Sequence, residues 1–177
     1  MNIDAIREQL PEFARDIKLN LGTILNEEGS PDLSQKQIDG IALASAFATK
    51  NKSLITAVFN EVKPRLDEAE ISAAKAAVSI MAMNNIYYRF THLVSDKEYS
   101  GLPAKLRMNI IGKPGIEKVD FELFSLAVSI INGCGMCIEA HAHEIVKSGL
   151  SKIAIQSTAR IAAVINSVAM ALEVTEV

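Results

Sequence analysis

Apolar residues recur at steps of three and four along nearly the whole chain, the spacing of helix faces turned toward a core. Ile3, Ile6, Leu10, Phe13, Ile17 and Leu21 form a first stripe, interrupted or re-aimed by Pro11. Asn26 to Asp32, with Gly29, Ser30 and Pro31, predicts a loop. Ser34, with Gln37 three residues on, then forms a capping-box pattern that opens a helix through Ile38, Ile41, Ala42, Ala44, Ser45 and Ala48. A further helix from about Ser53 ends before Pro64, and Asp67 to about Phe90 is a long Ala- and Met-rich helix. Its small residues let neighbouring helices approach closely, which suits a central position.

Asp96 to Pro114 is broken by Gly101, Pro103 and Gly112, and is the expected connection between two halves. The helical period resumes over Asp120 to Ile131, breaks at Asn132-Gly133, and runs again from Cys134 to Ser148, where Gly149 is a C-terminal cap. Ser151 opens a last helix reaching about Glu173. No run alternates apolar and polar residues long enough to make a strand, so the fold class is all-α. The halves resemble each other in pattern at a constant offset of 85, giving pseudo-repeats of about 33–92 and 118–175 within a single domain, 1–177. At that offset Thr49, Lys52 and Thr56 stand where the second half has Cys134, Cys137 and His141. The chemistry therefore belongs to the second half alone.

A length of 177 residues suits one core, and 49% hydrophobic with 22% charged residues excludes a disordered chain. A net charge of −3, with 5% aromatics and no Trp, offers neither a basic field nor stacking platforms, so nucleic acid is not an expected partner. Met1 to Glu8 carries acidic residues where an export signal needs cations, and no apolar segment follows. The charge-free stretch Leu123 to Ile138 falls short of the roughly 20 apolar residues of a membrane span. A cytoplasmic protein without a membrane segment is expected, and among cytosolic reductants a close cysteine pair is redox-active or metal-binding more often than structural.

The two cysteines, Cys134 and Cys137, are the whole thiol inventory. Cys134 falls at a helix N-terminus, where free N–H groups and the helix dipole favour a thiolate. His141 lies one turn beyond Cys137 on the same face, so an imidazole is available as its base. A base removes a proton outright whereas a dipole only biases the equilibrium, which favours Cys137 as the nucleophile. Glu122, in the preceding helix, can orient and charge-balance His141 in a Cys-His-Glu relay. A peroxide would convert Cys137 to a sulfenic acid that Cys134 resolves to a Cys134–Cys137 disulfide. His92, His143 and Glu139 lie off this face or outside the segment. Met81, Met83 and Met108 are expected to fill core, and Asn85 with Arg89 to form a buried hydrogen-bonded pair.

Met83-Asn84-Asn85-Ile86-Tyr87-Tyr88-Arg89, Leu106-Arg107-Met108-Asn109-Ile110-Ile111, Pro114-Gly115 and the Cys-Gly-Met-Cys motif resemble the alkyl hydroperoxide reductase D family of the carboxymuconolactone-decarboxylase-like superfamily. Leu10-Pro11-Glu12 and Asp16-Ile17-Lys18-Leu19-Asn20-Leu21 extend the resemblance over nearly the whole chain. It implies an all-helical fold with an internal duplication, a homotrimer, and a cytosolic antioxidant role. It further implies that the dithiol takes electrons from dihydrolipoamide on the lipoyl domain of a 2-oxoacid dehydrogenase complex, and passes them to a peroxiredoxin of the alkyl hydroperoxide reductase C type or to a hydroperoxide. No bound cofactor is expected. By the same resemblance Cys137 forms the sulfenic acid and any mixed disulfide with the partner, Cys134 is the resolving, proton-donating cysteine, and His141 and Glu122 are the proton relay. Met136 stands where the best-known members carry histidine, which leaves the Glu122–His141 pair to serve alone.

Other readings stay open. A purely structural bridge explains little, because so short a loop barely restrains the unfolded chain. A zinc site of Cys134, Cys137, His141 and Glu122 would use an uncommon ligand set with no second cysteine pair behind it. A non-redox acid–base enzyme of the decarboxylase type would use His141 and Glu122 on a small carboxylate and need no thiols. A non-enzymatic adaptor or metal-binding module is the remaining class.

Overall fold

The computed structural model of the chain describes residues 2–175. Among them are ten α-helices and no strand: α1 (Ile3–Gln9), α2 (Arg15–Ile24), α3 (Gln35–Thr49), α4 (Lys52–Val62), α5 (Glu68–Leu93), α6 (Glu98–Gly101), α7 (Asn109–Gly112), α8 (Lys118–Ile131), α9 (Gly135–Lys147) and α10 (Lys152–Thr175). The fold is all-α.

The helix starts follow local chemistry. At α3 the Ser34 hydroxyl accepts from the Gln37 N–H and the Gln37 side chain accepts from the Ser34 N–H. Asp67 and Glu70 make the same reciprocal pair at α5, so two otherwise orphaned donors are satisfied at each start. Pro11 divides the first apolar stripe by ending α1 and opening a 3-10 turn over Glu12–Ala14 before α2. The broken segment expected between the halves contains two one-turn helices, α6 and α7.

Helices α3 and α8 lie side by side at the centre, flanked by α5 and α10, each of which packs on both. All residues of Ile38–Ala46 and of Phe121–Ser129 are buried. The close approach depends on Gly40, where an added Cβ would lie 2.2 Å from the Phe124 ring. Near the helix starts the Gln37 amide donates to Asp120 across 2.8 Å. Asp39, also buried, accepts from Arg65 Nε at 2.6 Å and Nη2 at 3.0 Å, and from Gln35 at 2.9 Å, the multiple bonding a buried carboxylate requires.

The order central helix, short helix, long helix occurs twice, as α3–α4–α5 and α8–α9–α10. The two buried runs match at an offset of 83, not the 85 read from the apolar pattern. A helix buried all round has no polar face to set its phase, so apolar residues align nearly as well two positions out of register. In the corrected register Asn51, Leu54 and Val58 take the places of Cys134, Cys137 and His141, and the buried Asp39 takes that of Glu122.

By length and composition alone α10 is apolar enough to cross a bilayer. Its buried residues, Ile161, Ile165 and Val168 among them, instead face a core shared with α2, α3 and α8.

Candidate active site

The cysteine pair is held where one helix stops and the next starts. Gly133, at φ +67°, permits the left-handed turn that ends α8. Its N–H donates to Ile130 O and the Cys134 N–H to Ser129 O, a doubly bonded helix end that satisfies two carbonyls of α8. Cys134 is at the same time the N-cap of α9, so its backbone is fixed from both sides. Cys137 follows on the first turn of α9 and is joined to Cys134 in a disulfide, with Cα atoms 5.3 Å apart. Cys134 is fully buried, whereas Cys137 retains 6% exposure and lines a pocket of about 290 Å³.

That pocket is walled by α5 (Met81, Asn84, Tyr88), α9 (Met136, Cys137, Ala140, His141) and the segment Met108–Ile111. Its lining is mainly apolar, which suits the organic part of a ligand. The Cys137 sulfur lies 3.9 Å from the main-chain oxygen of Asn84. Tyr88 directs its hydroxyl to the Met108 sulfur, 3.8 Å away.

Glu122 on α8 and His141 on α9 meet behind the pocket, with Nδ1 2.6 Å from Oε2, and both are buried. A carboxylate only accepts, so Nδ1 is the donor and Nε2 is the ring nitrogen left to take up a proton. Nε2 faces the Met81 sulfur at 3.2 Å. The hydrogen bonds of the described residues include no direct one between His141 and Cys137, and the two meet as neighbours on one pocket wall. Two residues before Glu122, burial pushes the Asp120 carboxyl above the ordinary aspartate range, the Gln37 hydrogen bond opposing it.

Several side chains differ from their sequence-based reading. Met81 is core, as expected, but it also touches the imidazole, and Met108 belongs to the pocket lining. Asn84 and Tyr88 lie on the same wall. Met81, Asn84 and Tyr88 stand at i, i+3 and i+7 on α5, and that one-face spacing was the available signal. Asn85 and Arg89 do not pair with each other. Asn85 donates to Ser129 and accepts from Asn132, each at 2.9 Å, while Arg89 donates to Asn132 O at 2.6 Å. Both therefore brace the turn that carries Cys134. His92, His143 and Glu139 are exposed. Among the described residues no group of three or more His, Cys, Asp or Glu side chains is arranged to hold a metal ion.

The chain as a whole has relatives among known proteins. Residues 97–177 match the carboxymuconolactone decarboxylase family. The alkyl hydroperoxide reductase AhpD of Coxiella burnetii is 58% identical over 167 residues, covering 94% of each chain. That of Azorhizobium caulinodans is 52% identical over 173 residues, covering 98% of this chain and 94% of the relative. That of Rhodospirillum centenum is 49% identical, covering 98% and 91%. With such identity over nearly its whole length, the chain belongs to the AhpD family of the carboxymuconolactone decarboxylase-like superfamily.

Proposed function

We propose that the protein is an antioxidant thiol–disulfide oxidoreductase with alkyl hydroperoxide reductase activity, cycling its Cys134–Cys137 pair between dithiol and disulfide. The observation that carries this reading is the disulfide at the start of α9, with Cys137 on the wall of a largely apolar pocket next to the buried Glu122–His141 pair. The names of its relatives point the same way.

In the reduced protein His141, held by Glu122, takes the Cys137 proton. The thiolate attacks the oxygen of the hydroperoxide that carries hydrogen. A sulfur–oxygen bond forms as the oxygen–oxygen bond breaks, so sulfur loses two electrons and the peroxide gains them. The departing alkoxide takes a proton from the Cys134 thiol and leaves as the alcohol. The Cys134 thiolate displaces hydroxide from the sulfenic acid, the imidazolium protonates that hydroxide to water, and the disulfide is restored. A dihydrolipoamide-type dithiol, free or on the lipoyl domain of a 2-oxoacid dehydrogenase complex, then reduces it through a mixed disulfide at Cys137. A peroxiredoxin of the alkyl hydroperoxide reductase C type is the alternative acceptor of the electrons. This assigns the protein to the cytoplasm. The exposed apolar side chains of Ile86, Phe90, Leu93, Tyr99 and Leu102 support self-association, in keeping with a homotrimer.

Reconstitution with dihydrolipoamide, a peroxiredoxin and tert-butyl hydroperoxide tests the reading, with the Cys134–Cys137 state followed by mass spectrometry. Peroxide consumption should require the reductant, and the disulfide should alternate with the dithiol. A disulfide that neither forms with hydroperoxide nor yields to dihydrolipoamide overturns it.

A further inference from the structure

Two adjacent asparagines on α5 are used in opposite ways. Asn85 is 1% exposed and its amide is engaged by both Ser129 and Asn132. Asn84 is 4% exposed, and its Oδ1 is buried with no hydrogen-bond partner. Among the described residues, four buried side-chain nitrogen or oxygen atoms lack a partner: Arg7 Nε, Ser45 Oγ, Ser125 Oγ and Asn84 Oδ1. Of their residues, Asn84 is the one that lines the Cys137 pocket. An acceptor buried without a donor is destabilising, because it has given up its water and gained no partner. Such a cost is tolerated where a ligand supplies the missing proton, as strained or unsatisfied groups gather at binding sites.

The pocket gives that donor an identity. Tyr88, Met108, Ile111, Met136 and Ala140 present mostly carbon and sulfur, and the Asn84 main-chain oxygen is only 3.9 Å from the Cys137 sulfur. A ligand poised for attack by Cys137 therefore carries its reacting atom past the Asn84 backbone, at the foot of this side chain. An organic hydroperoxide has one hydrogen-bond donor, the O–H on the very oxygen that sulfur attacks. We propose that Asn84 is a substrate-positioning residue, its buried carboxamide turning toward the pocket to accept the O–H of a hydroperoxide and hold that oxygen against Cys137. The assignment rests on the peroxide-reducing reading above. It adds a specificity rule: a substrate with an O–H at the reacting atom gains from Asn84, and a disulfide, which has none, does not.

The test compares the reduced full-length protein and its variants in stopped flow against two oxidants, tert-butyl hydroperoxide and dipyridyl disulfide. Asn84→Leu removes the acceptor at similar volume. It should slow oxidation by the hydroperoxide roughly five- to tenfold, leave the rate with dipyridyl disulfide unchanged, and leave the melting temperature no lower. Asn84→Ser keeps a hydroxyl acceptor and should recover part of the loss. Asn85→Leu, which strips the hydrogen bonds to Ser129 and Asn132, should lower the melting temperature instead. Equal slowing with both oxidants would make Asn84 a support of the thiol and overturn the proposal, as would an unchanged hydroperoxide rate. Wild-type protein that reacts with dipyridyl disulfide but not with the hydroperoxide overturns the peroxidase reading itself, and this proposal with it.

Discussion

Nδ1 of His141 lies 2.6 Å from Oε2 of Glu122, two buried side chains 19 residues apart that meet because α8 and α9 double back on each other around Asn132-Gly133-Cys134. The short distance holds the ring with Nε2 directed at Met81 and the pocket rather than at solvent. In a Cys134→Ser background, His141→Ala should slow alkylation of Cys137 near neutral pH by about tenfold, the equivalent of one pH unit of thiol ionisation. The deficit should close at alkaline pH, where the thiol ionises unaided, and Glu122→Gln should give a smaller loss of the same shape. Alkylation rates that match the Cys134→Ser parent at every pH would remove His141 from the reaction.

Burial separates the two sulfurs, Cys134 being closed off and Cys137 facing the pocket. After treatment with tert-butyl hydroperoxide, Cys134→Ser should accumulate a sulfenic acid at Cys137, or a mixed disulfide there when a partner is present. Cys137→Ser should accumulate neither. Mass spectrometry after trapping with a sulfenic-acid reagent reads this directly, and the opposite pattern would exchange the two roles.

Phe124 on α8 packs over Gly40 on α3, where a methyl group would overlap the ring. Relieving that overlap means parting the two central helices or turning the ring out of its rotamer, at a cost of about 1–3 kcal/mol. Gly40→Ala should lower the denaturation midpoint accordingly. The double variant Gly40→Ala, Phe124→Leu should recover part of the loss, since the smaller side chain makes room. A Gly40→Ala protein as stable as wild type would show that the approach is not tight.

Asp120 supplies a pH signature. Burial raises its folded-state pKa above the ordinary value, despite the hydrogen bond from Gln37. A carboxyl with a raised folded pKa binds more protons folded than unfolded, so its contribution to stability falls as pH rises from roughly 4 through the raised value. Asp120→Asn preserves the acceptor for Gln37 and removes the charge. The stability of the variant relative to wild type should therefore increase from acid to neutral pH, as measured by chemical denaturation across that range. Parallel curves would show that Asp120 does not contribute.

Some of this molecule was legible without its tertiary structure. Helical periodicity, the capping boxes at Ser34 and Asp67, and the stop at Asn132-Gly133 depend on neighbours within one or two turns, and the same short range sets Cys134 three residues before Cys137. The Glu122–His141 contact was within reach because so short a turn forces α8 and α9 together. Other features were hidden for a physical reason: periodicity shows that a face is buried, not which face of which helix covers it. Met81 and Asn84 carry no mark of their role until α5 is packed across α9, and Gly40 none until Phe124 arrives from 84 residues further along the chain. The offset between the halves slipped by two positions because α3 and α8 are buried all round. The sequence by itself determined an all-helical chain and set its two cysteines together as one dithiol pair at a helix start, with His141 one turn beyond. Only the packing of α5 against α8 and α9 decided what that dithiol faces, since contacts between distant segments are set by shape complementarity that no local pattern records.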